Sequence, residues 1–250
     1  MMELYNDHFQ NYKKYGIPKA QLLIADIPYN IGIDAYGSNP SWYEGGDRAN
    51  GESKNAGKPF FNTDMRFKIP EFFFFCSRML KKEPKEKGKA PCMIVFCSFE
   101  QQFELIEHAK KNGFNHYINL VFRKNFSAQV LKANMRVVGN CEYAIILYRD
   151  KLPKFNNKGQ MVFNCLDWKR DNDTPKIHPT QKPVPVLENL IRIFTDEDDV
   201  IIDPVAGSCT TLLAAKNLNR KAYGFEIMKD MRKKAREQIL TYSNPYLFND

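Results

Sequence analysis

Short apolar runs alternate with helix-periodic segments along most of this chain, and few folds accept that alternation. Residues 22–25, 93–97, 117–122, 143–148, 200–202 and 222–227 read as strands. Between them, residues 70–80 read as a helix, with Pro70 in the first turn and an apolar face running from Phe72 to Phe75 with Met79. Ser98 and Gln101 have capping-box spacing and open a helix through Lys111, which Asn112-Gly113 closes. Leu187, Leu190, Ile191 and Phe194 repeat at helical spacing in a segment beginning at Val184, and residues 210–218 and 228–240 continue the pattern. Strands alternating with helices imply an α/β fold with a parallel sheet covered on both faces. Residues 117–148 read as a hairpin within it, and residues 151–176 hold no long element.

Composition narrows the function classes. A chain of 250 residues, 43% hydrophobic, makes one large domain, or two small ones at most, with ample core. Its formal charge of +8 suits a polyanionic partner, and is also met in basic proteins with no such role. No apolar run approaches the ~18 residues that span a bilayer. The polar start, residues 1–10, matches neither a secretory signal nor a transit segment. The cysteines at 76, 92, 97, 141, 165 and 209 form no CxxC pair and have no clustered histidines. They read as reduced, mostly buried thiols of a cytoplasmic protein, with neither a disulfide frame nor a metal site.

Two strand ends stand out. Asp26-Ile27-Pro28-Tyr29 sets a carboxylate, a rigid proline and an aromatic ring at one strand tip. Such a tip can hydrogen-bond an amino group and stack a flat ring, and its residues also make an ordinary turn. Asp203-Pro204-Val205-Ala206-Gly207-Ser208-Cys209 joins a strand to a helix through small residues that let backbone approach a ligand. It is neither a Walker loop nor a G-x-G-x-x-G fingerprint. Glu226 ends the next strand, where it can accept ribose hydroxyls or sit in solvent.

Asp26-Ile27-Pro28-Tyr29, His178-Pro179-Thr180-Gln181-Lys182-Pro183 and Asp203 to Thr211 occur in that order. In this the chain resembles the β group of S-adenosylmethionine-dependent DNA amino-methyltransferases, which modify adenine N6 or cytosine N4. Leu4-Tyr5-Asn6-Asp7 and Tyr223-Gly224-Phe225-Glu226-Ile227 look like further motifs of that group. The resemblance implies a Rossmann-like methyltransferase fold with a mostly parallel central sheet. It also implies a single domain over 1–250, divided into a catalytic half (1–149, with a loop at 30–64), a short variable segment (150–176) and a cofactor-binding half (177–250). It assigns Asp26, Pro28 and Tyr29 to catalysis. To S-adenosylmethionine it assigns Thr180, Lys182, Pro183, Asp203, Pro204, Ala206, Gly207, Ser208, Cys209 and Thr210, with Asp26 adjoining, Glu226 on the ribose and Asp7 near the adenine end. His178 reads as a structural turn residue. Two positions depart from the pattern: Ile27 stands for a second proline, and Cys209 stands for glycine where backbone nears the cofactor. Adenine N6 is the expected target, because cytosine-modifying members more often carry serine at the place of Asp26. Cytosine N4, an RNA amine and a catalytically silent nucleic-acid-binding subunit remain the alternatives.

The expected partner is DNA. Trp42 and Tyr43 lie in the 30–64 loop, placed to close over nucleic acid. Arg123, Lys124, Lys132 and Arg136 read as four cations of a hairpin connection, suited to phosphates or to plain solvation. Residues 81–89 and 229–236 read as solvated basic faces. The 28 residues from Arg149 to Lys176 are too few to set a helix in the major groove and support it. Base reading is therefore expected to be weak, or shared with a second copy or partner subunit.

Overall fold

The computed structural model describes residues 1–29, 67–125, 139–168, 170–178 and 180–242. Its eight strands are β1 (Met2–Tyr5), β2 (Leu22–Asp26), β3 (Cys92–Cys97), β4 (His116–Lys124), β5 (Cys141–Tyr148), β6 (Cys165–Trp168), β7 (Val200–Asp203) and β8 (Lys221–Phe225). They form one sheet in the order β1-β8-β7-β2-β3-β5-β4-β6. The first five of that order pair in parallel, β5 is antiparallel to both neighbours, and β6 is parallel to β4. The expectation of a mostly parallel α/β sheet holds, with β4 and β5 as its antiparallel hairpin.

Side chains of β2 and β3 alternate between two cores, as a pleated strand requires. Leu22, Ile24, Cys92, Ile94 and Phe96 face α3 (Val184–Phe194) and α4 (Thr210–Asn217). Leu23, Ala25, Met93 and Val95 face α1 (Ile69–Met79) and α2 (Gln101–Lys111). Phe72, Phe73 and Phe75 of α1 are fully buried there, worth ~2–3 kcal/mol each in transfer free energy. The capping box that opens α2 is present. Ser98 N–H donates to Gln101 Oε1 at 3.0 Å, and Gln101 N–H donates to Ser98 Oγ at 3.3 Å. Cys76, Cys92, Cys97 and Cys209 are buried free thiols, whereas Cys141 and Cys165 are exposed. No described helix is long and apolar enough to cross a membrane.

Several elements differ from the sequence reading. β1 and β6 span four residues each, too short for an alternating pattern to stand out, and both lie at sheet edges. Residues Phe9–Lys14 form a 3-10 helix. The basic helix after Met228 is α5 (Lys229–Lys234), which passes into a π-helical turn over Ala235–Ile239. β4 extends to Lys124, so Arg123 and Lys124 stand in the sheet and not in the hairpin connection. The 30–64 loop with Trp42 and Tyr43 lies outside the described residues, as do Lys132 and Arg136.

Gly224 of β8 marks a close approach. A Cβ there would meet Leu212 Cδ1 at 2.9 Å and Ala206 Cβ at 3.0 Å. Gly224→Ala is therefore expected to cost ~1–3 kcal/mol by overpacking β8 against α4. Urea denaturation checks this: the midpoint should fall at constant m-value, and an unmoved midpoint would contradict it.

Candidate active site

Five adjacent parallel strands bring their carboxyl ends to one sheet edge. Asp26 is the last residue of β2 and Asp203 the last of β7; Glu226 follows β8, and Asp7 lies two residues past β1. The chain leaves β2 toward β3 on one side and β7 toward β8 on the other, so the strand order reverses between β2 and β7. Crevices at such a reversal are where open α/β sheets hold ligands.

Asp26 is the centre of a buried ionic chain. Its Oδ2 accepts from Lys182 Nζ at 2.7 Å, while its Oδ1 is buried with no hydrogen-bond partner among the described residues. Lys182, only 6% exposed, also lies 3.8 Å from Glu142 Oε2. Glu142 accepts the Tyr29 hydroxyl at 2.9 Å and is ion-paired with Lys124. Aromatic rings line the Lys182 ammonium, with the centroids of Tyr29 at 5.3 Å, Phe96 at 5.4 Å and Trp168 at 6.0 Å. Burial pushes the Asp26 carboxyl above its ordinary value against the pull of Lys182. Burial would depress the Lys182 ammonium, yet Asp26 and Glu142 raise it. Glu142 is held below its ordinary value by Lys182 and Lys124 despite its own burial.

The loop before α3 presents Lys182 through side-chain contacts to its own backbone. Gln181 Oε1 accepts from Ile177 N–H at 3.2 Å, and Gln181 Nε2 donates to Pro175 O at 2.9 Å. Asp171 Oδ2 accepts from Val184 N–H at 3.0 Å, just after Pro183 caps the helix. His178 Nδ1 and Thr180 Oγ1 are 2.8 Å apart, and burial brings the imidazole down to about 4. On the other side of the tip, Gln101 Nε2 donates to Pro28 O at 2.8 Å. Ile27 is buried, and its N–H donates to Phe96 O at 3.2 Å, a bond that a proline there would lack.

The turn from Asp203 to Thr210 crosses the neighbouring strand ends. Ala206 N–H donates to Phe225 O at 2.8 Å, which ties the turn to β8. Gly207 has φ +49°, and only Val205 O, at 3.8 Å, approaches the place of its missing Cβ. Cys209 has φ 65°, the left-handed region that favours glycine, and its side chain is wholly buried in the core. The Cβ expected to crowd the cofactor thus turns into the protein. Burial raises Asp203 to about 7, against hydrogen bonds from the Thr211 side chain and Val205 N–H. Glu226 is buried and raised by desolvation; its Oε1 accepts from Met228 N–H at 2.6 Å. Asp7 accepts from His8 N–H, Asn11 Nδ2 and Tyr15 OH, and these bonds lower it to about 2.

Two expected residues change place. Lys124 is 9% exposed and paired with Glu142 inside the sheet, an interior cation and not one of a solvated connection. Arg123 is exposed but already donates to Asp167 Oδ1 at 2.8 Å through Nη2 and 3.2 Å through Nε. The residue missed in the sequence is Glu142, an unremarkable acid at the start of β5. Its signal was cross-strand: in register it faces Phe122, one pleat from Lys124.

The chain matches the N6/N4 DNA methylase family over residues 20–237. It belongs to that family. The family consists of S-adenosylmethionine-dependent DNA amino-methyltransferases. The chain is similar to the DNA adenine methyltransferase YhdJ of Escherichia coli K12, 25% identical over 245 residues, covering 90% of this chain and 77% of that one. In fold it is similar to M1.HpyAVI in its SAM complex, with TM-score 0.68, 21% identity, and coverage of 97% and 100% of the two chains. It is similar also to the cytosine-N4-specific PvuII DNA methyltransferase, with TM-score 0.63, 15% identity, and coverage of 98% and 89%. Matches to the first curated relatives span only 21% to 64% of their lengths.

Asp203 makes a prediction from its titration. Its folded value of about 7 lies above the ordinary 3.8, so the folded state binds the extra proton. The stability this contributes is full below the unfolded value and is lost as pH rises through about 7. At ~1.4 kcal/mol per unit, a loss of a few kcal/mol is expected. Denaturation of the cofactor-free protein across that window checks it. Asp203→Asn should flatten the pH slope, and an unchanged slope would contradict the assignment.

Proposed function

We propose that this chain transfers a methyl group from S-adenosylmethionine to an exocyclic amino group in DNA, adenine N6 first. The observation that carries the reading is Asp26 Oδ1, a buried carboxylate oxygen without a hydrogen-bond partner among the described residues, beside Tyr29 and across the β2–β7 crevice from the Asp203–Thr210 turn. A buried acceptor left unmade is costly, which suits an atom that waits for a substrate N–H. An amine on a base is a weak nucleophile because its lone pair is delocalised into the ring. Accepting one N–H at Oδ1 localises that lone pair and aims it, while Tyr29 stacks on the base. The base must leave the duplex to reach this edge.

When bound, S-adenosylmethionine supplies a methyl group on a sulfonium, the electrophile. The residues present suit it. Asp203 and Glu226 are neighbouring acids that complement its positive charge, and the open cradle at Gly207 lets backbone approach. Glu226 would take the ribose hydroxyls with the acceptor capacity left by the backbone N–H groups of Met228, Gly207 and Ile227. Asp7, whose oxygens are already engaged, would shape the adenine end without ligating it. The Asp26 carboxyl and the likeness to YhdJ favour adenine. Cytosine N4 stays as the second reading, because a fold neighbour carries that specificity by name. The short 149–176 interval favours a second copy or a partner subunit in base reading.

Incubation with methyl-labelled cofactor and DNA or RNA, followed by nucleoside analysis, tests the reading. N6-methyldeoxyadenosine is expected; label in cytosine or RNA, or none, would overturn the adenine-DNA assignment. Asp26→Ala should abolish transfer and leave the cofactor dissociation constant nearly unchanged. Glu226→Ala should weaken cofactor binding, by up to ~1.5–3 kcal/mol for a charged hydrogen bond, with a smaller effect on turnover at saturation. Calorimetry separates the two, and equal loss of binding in both would contradict their division of roles.

A further inference from the structure

We propose that Glu142 is a positioning residue, acting through Lys182 and Tyr29 to hold the Asp26 carboxylate with one oxygen aimed at the substrate. The proposal rests on the reading of Asp26 and Tyr29 as the amine-holding and base-stacking groups. Glu142 touches neither reacting atom. It joins the two substrate-holding side chains, accepting the Tyr29 hydroxyl at 2.9 Å and lying 3.8 Å from the ammonium that holds Asp26. Its other oxygen is neutralised by Lys124. The result is a chain of two ammoniums and two carboxylates on four segments: the β2 tip, the loop before α3, β4 and β5.

The geometry explains why only one oxygen of Asp26 is free. A lysine ammonium beside an isolated carboxylate can swing between both oxygens. Here Glu142 draws Lys182 to one side, and the rings of Tyr29, Phe96 and Trp168 confine it. Lys182 therefore stays on Oδ2, and Oδ1 remains as the acceptor. The Tyr29 ring is fixed by the same residue through its hydroxyl. Buried ion pairs of this kind commonly add little stability over apolar residues of the same volume, so stability alone does not account for this one. Lys182, expected from the resemblance to contact cofactor, is here part of the device that shapes the substrate side.

The titratable groups facing Asp26 are Lys182 from the loop before α3, Glu142 from β5, Tyr29 from its own tip, Cys97 from β3 and Asp203 from β7. Two substitutions move it in opposite senses. Lys182→Met should raise the Asp26 titration midpoint, and Glu142→Gln should lower it. Carbon-13 NMR of the labelled Asp26 carboxyl, assigned by its loss in Asp26→Asn, reads this without any catalysis. In turnover, Glu142→Gln should lower kcat by ~10-fold or more through lost alignment, with the cofactor dissociation constant held within about threefold. Lys182→Arg keeps the charge and changes the geometry, so it should hold the midpoint near wild type while lowering kcat. It also serves if Lys182→Met fails to fold. Unmoved midpoints in Lys182→Met and Glu142→Gln would overturn the proposal, as would kcat near wild type in Glu142→Gln. Loss of cofactor binding in step with activity in Lys182→Arg would overturn it in favour of a cofactor ligand. A wild-type chain that methylates no nucleic acid would instead refute the functional reading, and the titration would still decide the ionic chain.

Discussion

The contact between Lys182 and Asp26 joins residues 156 positions apart and sits where the two directions of strand order meet. Two charges in a protein interior are stable only when each is matched in place, because removing one leaves the other unpaired at a cost of several kcal/mol. That condition ties the tip of β2 to the loop before α3, and through Glu142 and Lys124 to the β4–β5 hairpin. The loop in turn needs Gln181 and Asp171 bonded to its own backbone to hold Lys182 at the right height. Much of the architecture at the carboxyl edge can be read as the support that this ion pair requires.

The edge divides by chemistry. On the β7–β8 side, Asp203 and Glu226 sit with backbone N–H groups and small residues, the side proposed to take the cationic cofactor. On the β2 side, one oxygen unpartnered among the described residues is surrounded by rings and by a charge-neutral ion chain. Asp26 lies between them and feels both, as the coupling of Asp203 to Asp26 and Glu226 reflects. A low-dielectric setting strengthens both sets of interactions while excluding the water that would compete for Oδ1.

Much of this was legible in the residues. The runs that became β2, β3 and β7 are buried on almost every residue, so their apolar character survives without alternation, and the helices carry strong periodicity or caps. Asp26, Asp203 and Glu226 were visible because each closes such a run. The edges were not legible. β1 and β6 are four-residue strands whose identity comes from pairing, which depends on partners far along the chain. Glu142 was invisible for the same reason: nothing local marks it, and its meaning comes from Lys124 across the ladder and Lys182 beyond the sheet. Lys124 was misread because a lysine near a hairpin is usually solvated, whereas here the pleat turns it inward onto Trp168 and Glu142.

The two departures from the family pattern have physical accounts of their own. Ile27 keeps an N–H in the β2–β3 ladder and a side chain in the core, so the tip is braced by pairing where a second proline would brace it by rigidity. Cys209 accepts the left-handed backbone and buries its side chain in the core. Neither change reaches Oδ1 of Asp26. The most direct test is a crystal structure of the chain with S-adenosylmethionine bound. The account predicts the cofactor between the Asp203–Thr210 turn and Glu226, with its methyl group directed at the space in front of Asp26 Oδ1 and the Lys182–Asp26 contact intact. A cofactor seated elsewhere, or one whose methyl group points away from Asp26, would contradict it.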